Sequence, residues 1–173
     1  MTTSANTLAD ARLEFVSQWG ALGSAWGINR TMAMLHALLL TSAEPLSTDD
    51  AMETLQISRG NASTNLRELV AWGLSRKVVV PGERRDYYEA EKDVWRIFCT
   101  LARERKRREL DPAIEVLRSC AEKTAGLRSR EARQFHRLMK ALGEFAELAA
   151  RVMDRVAASE RSKVVPALLK LFK

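Results

Sequence analysis

A mainly helical fold carrying one small β-hairpin is what this 173-residue sequence predicts, on three observations. Glycine and proline number only 8 and 4, too few turn formers for a sandwich or barrel. Apolar side chains recur at steps of three and four along most of the chain, the spacing of one helical face. One stretch departs from it: Ser75 to Val80 is dense in β-branched residues, Pro81-Gly82 signals a turn, and Tyr87 to Ala90 is strand-like. An apolar fraction of 46% against 29% charged argues against disorder. A chain this long buries roughly 68–70% of its unfolded surface and needs no metal or disulfide to fold.

The elements follow in order. In residues 7–26, Leu8, Ala11, Phe15, Trp19, Leu22 and Trp26 share one stripe, while Gly20, Gly23 and Gly27 should end the regular helix near Trp19. Asn29 to Thr41 is too densely apolar to leave much solvent face and reads as a central buried helix. Glu44-Pro45-Leu46 breaks the chain into a short extended stretch. Ser47 then caps a helix running to about Leu55, with Asp49 and Asp50 favoured at its positive end. Ser58 caps the next, whose Ala62, Leu66, Leu69 and Val70 form an apolar side and which stops at Trp72-Gly73. Trp72 is expected to be core.

Two short helices joined by a tight turn outline a helix-turn-helix, and a hairpin directly behind it gives the winged-helix arrangement. From Glu91 onward the chain reads as helical, broken near Asp111-Pro112, near Gly126 and before Pro166. The longest piece, Ser129 to Ser159, carries Phe135, Leu138, Leu142, Phe145, Ala149, Val152 and Val156 in alternating steps of three and four, a heptad seam. Val164 to Phe172 reads as a short amphipathic tail. The expected organisation is a supporting helical segment (1–27), a winged helix-turn-helix domain (28–92) and a helical dimerisation and effector-binding region (93–173).

The net charge of +6 is unevenly spread. Residues 1–57 carry two basic and six acidic side chains, 58–90 six and four, and 91–173 twenty and twelve. Such a balance favours polyanionic partners. No apolar run reaches the ~18 residues of a membrane span. The N-terminus lacks the basic and apolar regions of a signal peptide, and two cysteines cannot form a scaffold, so a cytoplasmic protein with no membrane partner is expected.

On the second helix of the helix-turn-helix, Gly60, Asn61, Thr64, Arg67 and Glu68 lie opposite the apolar side, with Arg59 and Ser63 on the flank. Small and polar residues at the start let the backbone approach a major groove, and a few long donors reach bases or phosphates. Ser58, Arg59, Asn61, Ser63, Thr64 and Arg67 are therefore the candidate contacts to double-stranded DNA, joined by Arg84 and Arg85 at the hairpin tip. The competing reading is a solvated helix face and a charged turn. Arg76 and Lys77 could equally protect a strand edge. The run Arg103, Arg105, Lys106, Arg107 and Arg108 either extends the DNA footprint or is a solvated face.

The seam from Phe135 to Val156 needs a partner, supplied by the chain folding back or by a second copy; a homodimer is expected because winged-helix regulators read paired half-sites. His136 and Gly143 interrupt an idealised zipper. Only two histidines, His36 and His136, are present, and no CxxC, HExxH, GxSxG or phosphate-cradling loop occurs. No enzyme activity, cofactor or metal is expected.

Ile28 to Trp95 resembles the GbsR branch of MarR-type regulators. The residues that carry the likeness are Ser58-Arg59-Gly60-Asn61-Ala62-Ser63, Asn65-Leu66-Arg67-Glu68-Leu69, Trp72-Gly73-Leu74, Pro81-Gly82-Glu83-Arg84-Arg85, Tyr87-Tyr88-Glu89-Ala90 and Asp93-Val94-Trp95. The resemblance implies a dimeric winged-helix repressor, with Ser58 to Arg67 as recognition element and Arg84-Arg85 as wing. By the same analogy a small effector would release it. A quaternary ammonium compound would call for an aromatic cage, for which Trp19, Trp26 and Trp95 are candidates, although tryptophan at helical spacing is more often core. Some MarR relatives sense oxidants through cysteine, but Cys99 and Cys120 are expected to be buried and inert. The expected function is a sequence-specific, homodimeric transcriptional regulator binding a pseudo-palindromic operator. The rival from another class is a protein-interaction adaptor that uses the same scaffold without specific DNA binding.

Overall fold

A computed structural model describes residues 3–161, in two compact units, Met1–Val94 and Trp95–Lys173. The fold is mainly α with a small β-wing. In the first unit α1 (Thr3–Ala25) is followed by α2 (Arg30–Thr41), β1 (Leu46–Ser47), α3 (Thr48–Leu55), α4 (Arg59–Trp72), β2 (Ser75–Val78) and β3 (Tyr87–Ala90). The strands form one antiparallel sheet in the order β1-β3-β2, with Ser75 opposite Ala90 and Leu46 opposite Tyr88.

Helix α1 does not stop near Trp19. It runs unbroken through Gly20 and Gly23, because these glycines serve close approach rather than flexibility. With Val16 they form a thin buried stripe at steps of four and three. A Cβ on Gly23 would lie 2.5 Å from the Ala33 Cβ of α2, and one on Gly20 would lie 2.5 Å from the Met34 Cγ. The helix ends at Gly27, whose φ of +77° turns the chain, with the Ile28 amide donating to the Gly23 carbonyl at 2.9 Å. The apolar stripe expected for this helix lies beside the packed face: Phe15 and Trp19 are half-buried, and Leu8, Leu22 and Trp26 are exposed.

Helix α2 is the buried centre of the unit. Met32, Ala33, Leu35, His36, Ala37, Leu38 and Leu39 are all buried, and α1, α3, α4 and β3 pack around it. Asn29 caps its first turn, its side-chain oxygen accepting from the Met32 amide at 3.2 Å. Ser47 and Asp50 build a reciprocal capping box on α3, which lowers the Asp50 pKa through the Ser47 hydrogen bonds. Ser58 caps α4, and Gly73, at φ +77°, ends it. Trp72 is half-buried rather than enclosed. The hairpin strands are shorter than expected: β2 ends at Val78, and Val79 is 92% exposed.

The second unit holds α5 (Val94–Arg105), a π-helical turn (Lys106–Leu110), α6 (Asp111–Thr124), α7 (Arg130–Ala158) and a closing 3₁₀ turn (Ser159–Arg161). The break expected at Asp111-Pro112 is absent. The π turn carries the helix across it, with the Asp111 amide donating to the Lys106 carbonyl five residues back. Proline lacks an amide and its ring presses on the carbonyl four residues earlier; a widened turn just before it relieves that conflict. The break at Gly126 is present, and the tail expected over Val164 to Phe172 lies outside the described residues.

Helix α7 carries two apolar stripes rather than one. Ala132, His136, Met139, Gly143, Ala146, Ala150, Met153 and Ala157 are each buried or half-buried. Ala146 and Ala150 pack with Ile114, Leu110 and Leu117 in the core of this unit. His136 and Gly143 therefore lie on the α6-facing stripe and do not interrupt the seam. One residue earlier in register, Phe135, Leu138, Leu142, Phe145 and Val152 are exposed, while Ala149 and Val156 are half-buried.

Two expectations follow. Gly23→Ala should destabilise the protein by about 1–2 kcal/mol in urea unfolding, because the rigid Ala33 methyl cannot give way and the clash outweighs the gain in helix propensity. Gly20→Ala should cost less, since Met34 can change rotamer. The second concerns His36, which is buried with no partner for its Nε2. Burial pushes this imidazole down from 6.5 to about 4. The unfolded chain then binds the proton more readily, so stability held above pH 6.5 is lost as pH falls toward 4, at up to about 1.4 kcal/mol per pH unit. His36→Leu should flatten that part of the pH profile of the urea midpoint.

Candidate nucleic-acid interface

The N-terminal half of α4 presents Ser58, Arg59, Gly60, Asn61, Thr64 and Arg67 to solvent, while Ala62, Leu66 and Leu69 are buried on the opposite side. Ser63 and Glu68 are half-buried at the edges. Asn61 is held in place. Its side-chain oxygen accepts from Asn65 Nδ2 at 2.7 Å, and its own Nδ2 donates to Thr31 Oγ1 at 3.3 Å. Asn65, buried among leucines, also donates to the Asn61 carbonyl at 2.9 Å. Neither Asn65 nor Thr31 stands among the contacts that the sequence predicts. The available signal was a buried asparagine one helical turn after an exposed one, a pair that can lock the outer side chain. Arg67 Nη2 lies 3.4 Å from Thr64 Oγ1, so these two form one polar ledge.

The wing separates its two arginines. Arg85 is engaged within the protein: it pairs with Glu83 at 3.2 Å, donates to the Tyr87 hydroxyl at 3.2 Å, and lies 4.0 Å from Asp49. The Glu83 hydrogen bond is the largest cause of its raised pKa. Arg84 is exposed and makes no ion pair among the described residues. Arg76 pairs with its cross-strand partner Glu89, and Lys77 with Asp86 at 2.7 Å while sitting over the Tyr88 ring. These pairs brace the hairpin. Because Arg85 and Lys77 neutralise Glu83 and Asp86, the tip is left with the charge of Arg84. Asp49, at the start of α3, also binds Arg59, so the first turns of α3 and α4 and the wing meet at one cleft of about 260 Å³.

The other sequence candidates are placed as follows. Trp19 stacks against Phe15, ring centroids 5.3 Å apart. Trp95 lies 5.4 Å from Phe98 and donates its indole N–H to the Ser159 carbonyl at 3.1 Å. Trp26 is exposed. In the basic run, Arg103 pairs with Glu160, Arg105 with Glu109, Lys106 with Asp111 and Asp154, and Arg107 with the buried Glu104 at 2.6 Å. Much of its charge is thus matched locally. Cys99 is buried, its thiol donating to the Val156 carbonyl at 3.2 Å, and Cys120 is half-buried. An apolar cleft of about 310 Å³ opens between α6 and α7, floored by Ile114, Leu117, Met139 and Gly143. No described helix is long and apolar enough to cross a membrane.

A solved structure titled as a transcriptional regulator shares this fold, with a TM-score of 0.61 over 86% of this chain and 99% of that one, at 22% identity. No protein-family model matches the chain. In sequence, it is 31% identical over 96 residues to the HTH-type transcriptional regulator MmpR5 of Mycobacterium tuberculosis, covering 55% of this chain and 56% of that protein. Its relatives are helix-turn-helix transcriptional regulators. Another is YvaV of Bacillus subtilis, named as an HTH-type transcriptional regulator, 27% identical over 77 residues and 44% of either chain. The chain spans about half the length of the curated relatives it matches. The likeness is to helix-turn-helix regulators in general and does not single out the GbsR branch.

Proposed function

We propose that this chain is a cytoplasmic transcriptional regulator of the GbsR branch, a homodimeric repressor that binds a pseudo-palindromic operator in double-stranded DNA. The observation that carries this reading is the start of α4, exposed and polar with Asn61 locked in position, beside a wing whose tip keeps the charge of Arg84. Asn61, Ser63, Thr64 and Arg67 would read or brace against the major groove, and Ser58 and Arg59 would contact phosphate at the helix start. Arg84 would reach the backbone or minor groove, with Arg85 holding the wing to the body. The winged-helix domain spans 28–92, supported by 1–27, and the region 93–173 supplies dimerisation. No catalytic step belongs to this reading.

Homodimerisation is supported by the exposed seam of α7, from Phe135 to Val152, since an apolar stripe of this length is rarely left in water. Release by a small effector is the further part of the proposal, acting through the spacing of the two recognition helices. Trp19, Trp26 and Trp95 remain its candidate contacts, with quaternary ammonium chemistry resting on family analogy.

Fluorescence anisotropy at about 150 mM salt, comparing the duplex upstream of the protein's own gene with a scrambled duplex, tests the reading directly. A preference of ~10³-fold or more is expected for a specific regulator; equal weak binding to both would sink it in favour of the adaptor. Arg84→Ala should weaken binding to every duplex and reduce the salt slope by about one, as loss of one phosphate contact requires. An unchanged slope would remove the wing tip from the interface. Val152→Glu should convert the dimer to monomer in light scattering, and a dimer that survives it would exclude the α7 seam as the contact.

A further inference from the structure

The cleft between α3, α4 and the wing holds one carboxylate that faces two arginines. Asp49 Oδ1 accepts from Arg59 Nη2, at the first residue of the recognition helix, while its Oδ2 lies 4.0 Å from Arg85 Nη1, on the wing. No other acidic side chain in the cleft is available to Arg59, while Arg85 is already paired with Glu83 at 3.2 Å and donates to the Tyr87 hydroxyl. Asp86 is engaged by Lys77 at 2.7 Å, and the neighbouring Asp50 is committed to the Ser47 cap. Asp49 makes no capping hydrogen bond: the cap of α3 is built by Ser47 and Asp50, and Asp49 adds only its charge to the first turn.

We infer that Asp49 is an internal stand-in for a DNA phosphate, a positioning residue that occupies Arg59 in the free protein and must be displaced before that guanidinium can bind the backbone. The inference rests on the DNA-binding reading above. Its physical basis is that both side chains are solvent-exposed, at 41% for Asp49 and 67% for Arg59. Exposed ion pairs contribute little to folding stability, so this contact exchanges readily. A carboxylate on a guanidinium presents the charge and the acceptor oxygen that a phosphate also offers, so one can replace the other without Arg59 moving far.

The consequence concerns affinity for DNA of any sequence. Non-specific binding is driven by release of counterions condensed on the duplex as phosphates are neutralised. An arginine that already owns an internal anion gains less from a phosphate, and the displaced carboxylate stays nearby with its like charge. Asp49 thereby holds down sequence-independent binding while keeping Arg59 pointed into the cleft. One arginine contact, at the start of the recognition helix, is restrained this way.

The test is anisotropy with one random-sequence duplex across a salt series, using the full chain. Asp49→Asn keeps a side-chain oxygen for Arg59 and removes only the charge. It should tighten binding by about twofold to fivefold, the range one exposed pair can account for, and steepen the salt slope by about one. Arg59→Gln introduced into Asp49→Asn should remove most of that gain, because the freed guanidinium carries it. Thermal unfolding should change little in Asp49→Asn, which separates a charge effect from a folding defect. If Asp49→Asn binds as wild type or more weakly, with the slope unmoved, Asp49 is a scaffold residue and the inference is overturned. If neither wild type nor variant binds any duplex, the DNA-binding reading itself falls and takes this inference with it.

Discussion

Helix α2 has almost no solvent face, and that burial sets the terms for the rest of the N-terminal unit. Its seven buried residues must be covered on several sides at once, by α1, α3, α4 and β3. Covering a helix this closely needs one neighbour without side chains at the crossing, which is what Gly20 and Gly23 supply. It also fixes α4 from behind: with Ala62, Leu66 and Leu69 turned inward, Asn61, Thr64 and Arg67 have only solvent to face. Thr31, near the start of α2, then reaches Asn61 itself. The polar surface of α4 is thus a by-product of how its apolar side is anchored.

Charge is managed as closely as packing. The net excess is +6, yet most of the arginines and lysines that stand out in the sequence are matched by a nearby carboxylate. The wing illustrates this over four residues, where Glu83 and Asp86 absorb Arg85 and Lys77 and leave Arg84. The run from Arg103 to Arg108 does so over a wider span, drawing on Glu104, Glu109, Asp111, Asp154 and Glu160. Formal charge counted along a sequence therefore overstates the field available to a polyanion, since pairing among residues distant in sequence is invisible there.

What the sequence made legible was whatever local chemistry dictates. Ser47 and Ser58 as caps, Gly73 as a stop, and the Pro81-Gly82 turn follow from backbone hydrogen bonding within a few residues. The recognition helix was legible in outline from its two-sided pattern. The misreadings arose where a distant partner decides. Gly20 and Gly23 look like helix breakers until Ala33 and Met34 are opposite them. Pro112 looks like a stop until the π turn before it absorbs the ring. The stripe from Ala132 to Ala157 is faint in the sequence because alanine and glycine carry a weak apolar signal, although its spacing is as regular as that of the seam beside it. The Asn61–Asn65 bond was within reach of sequence reasoning, but the Thr31 contact, thirty residues away, was not.

The two stripes of α7 run parallel, offset by a single residue. Inserting one amino acid within the helix would rotate everything downstream by about 100°, so that large seam residues such as Val152 would take α6-facing positions and the small residues would turn toward water. Substitutions on either stripe change packing locally, whereas a change of length turns both stripes away from what they face. The register of this helix is therefore fixed by two surfaces at once, the one that faces α6 and the exposed seam beside it.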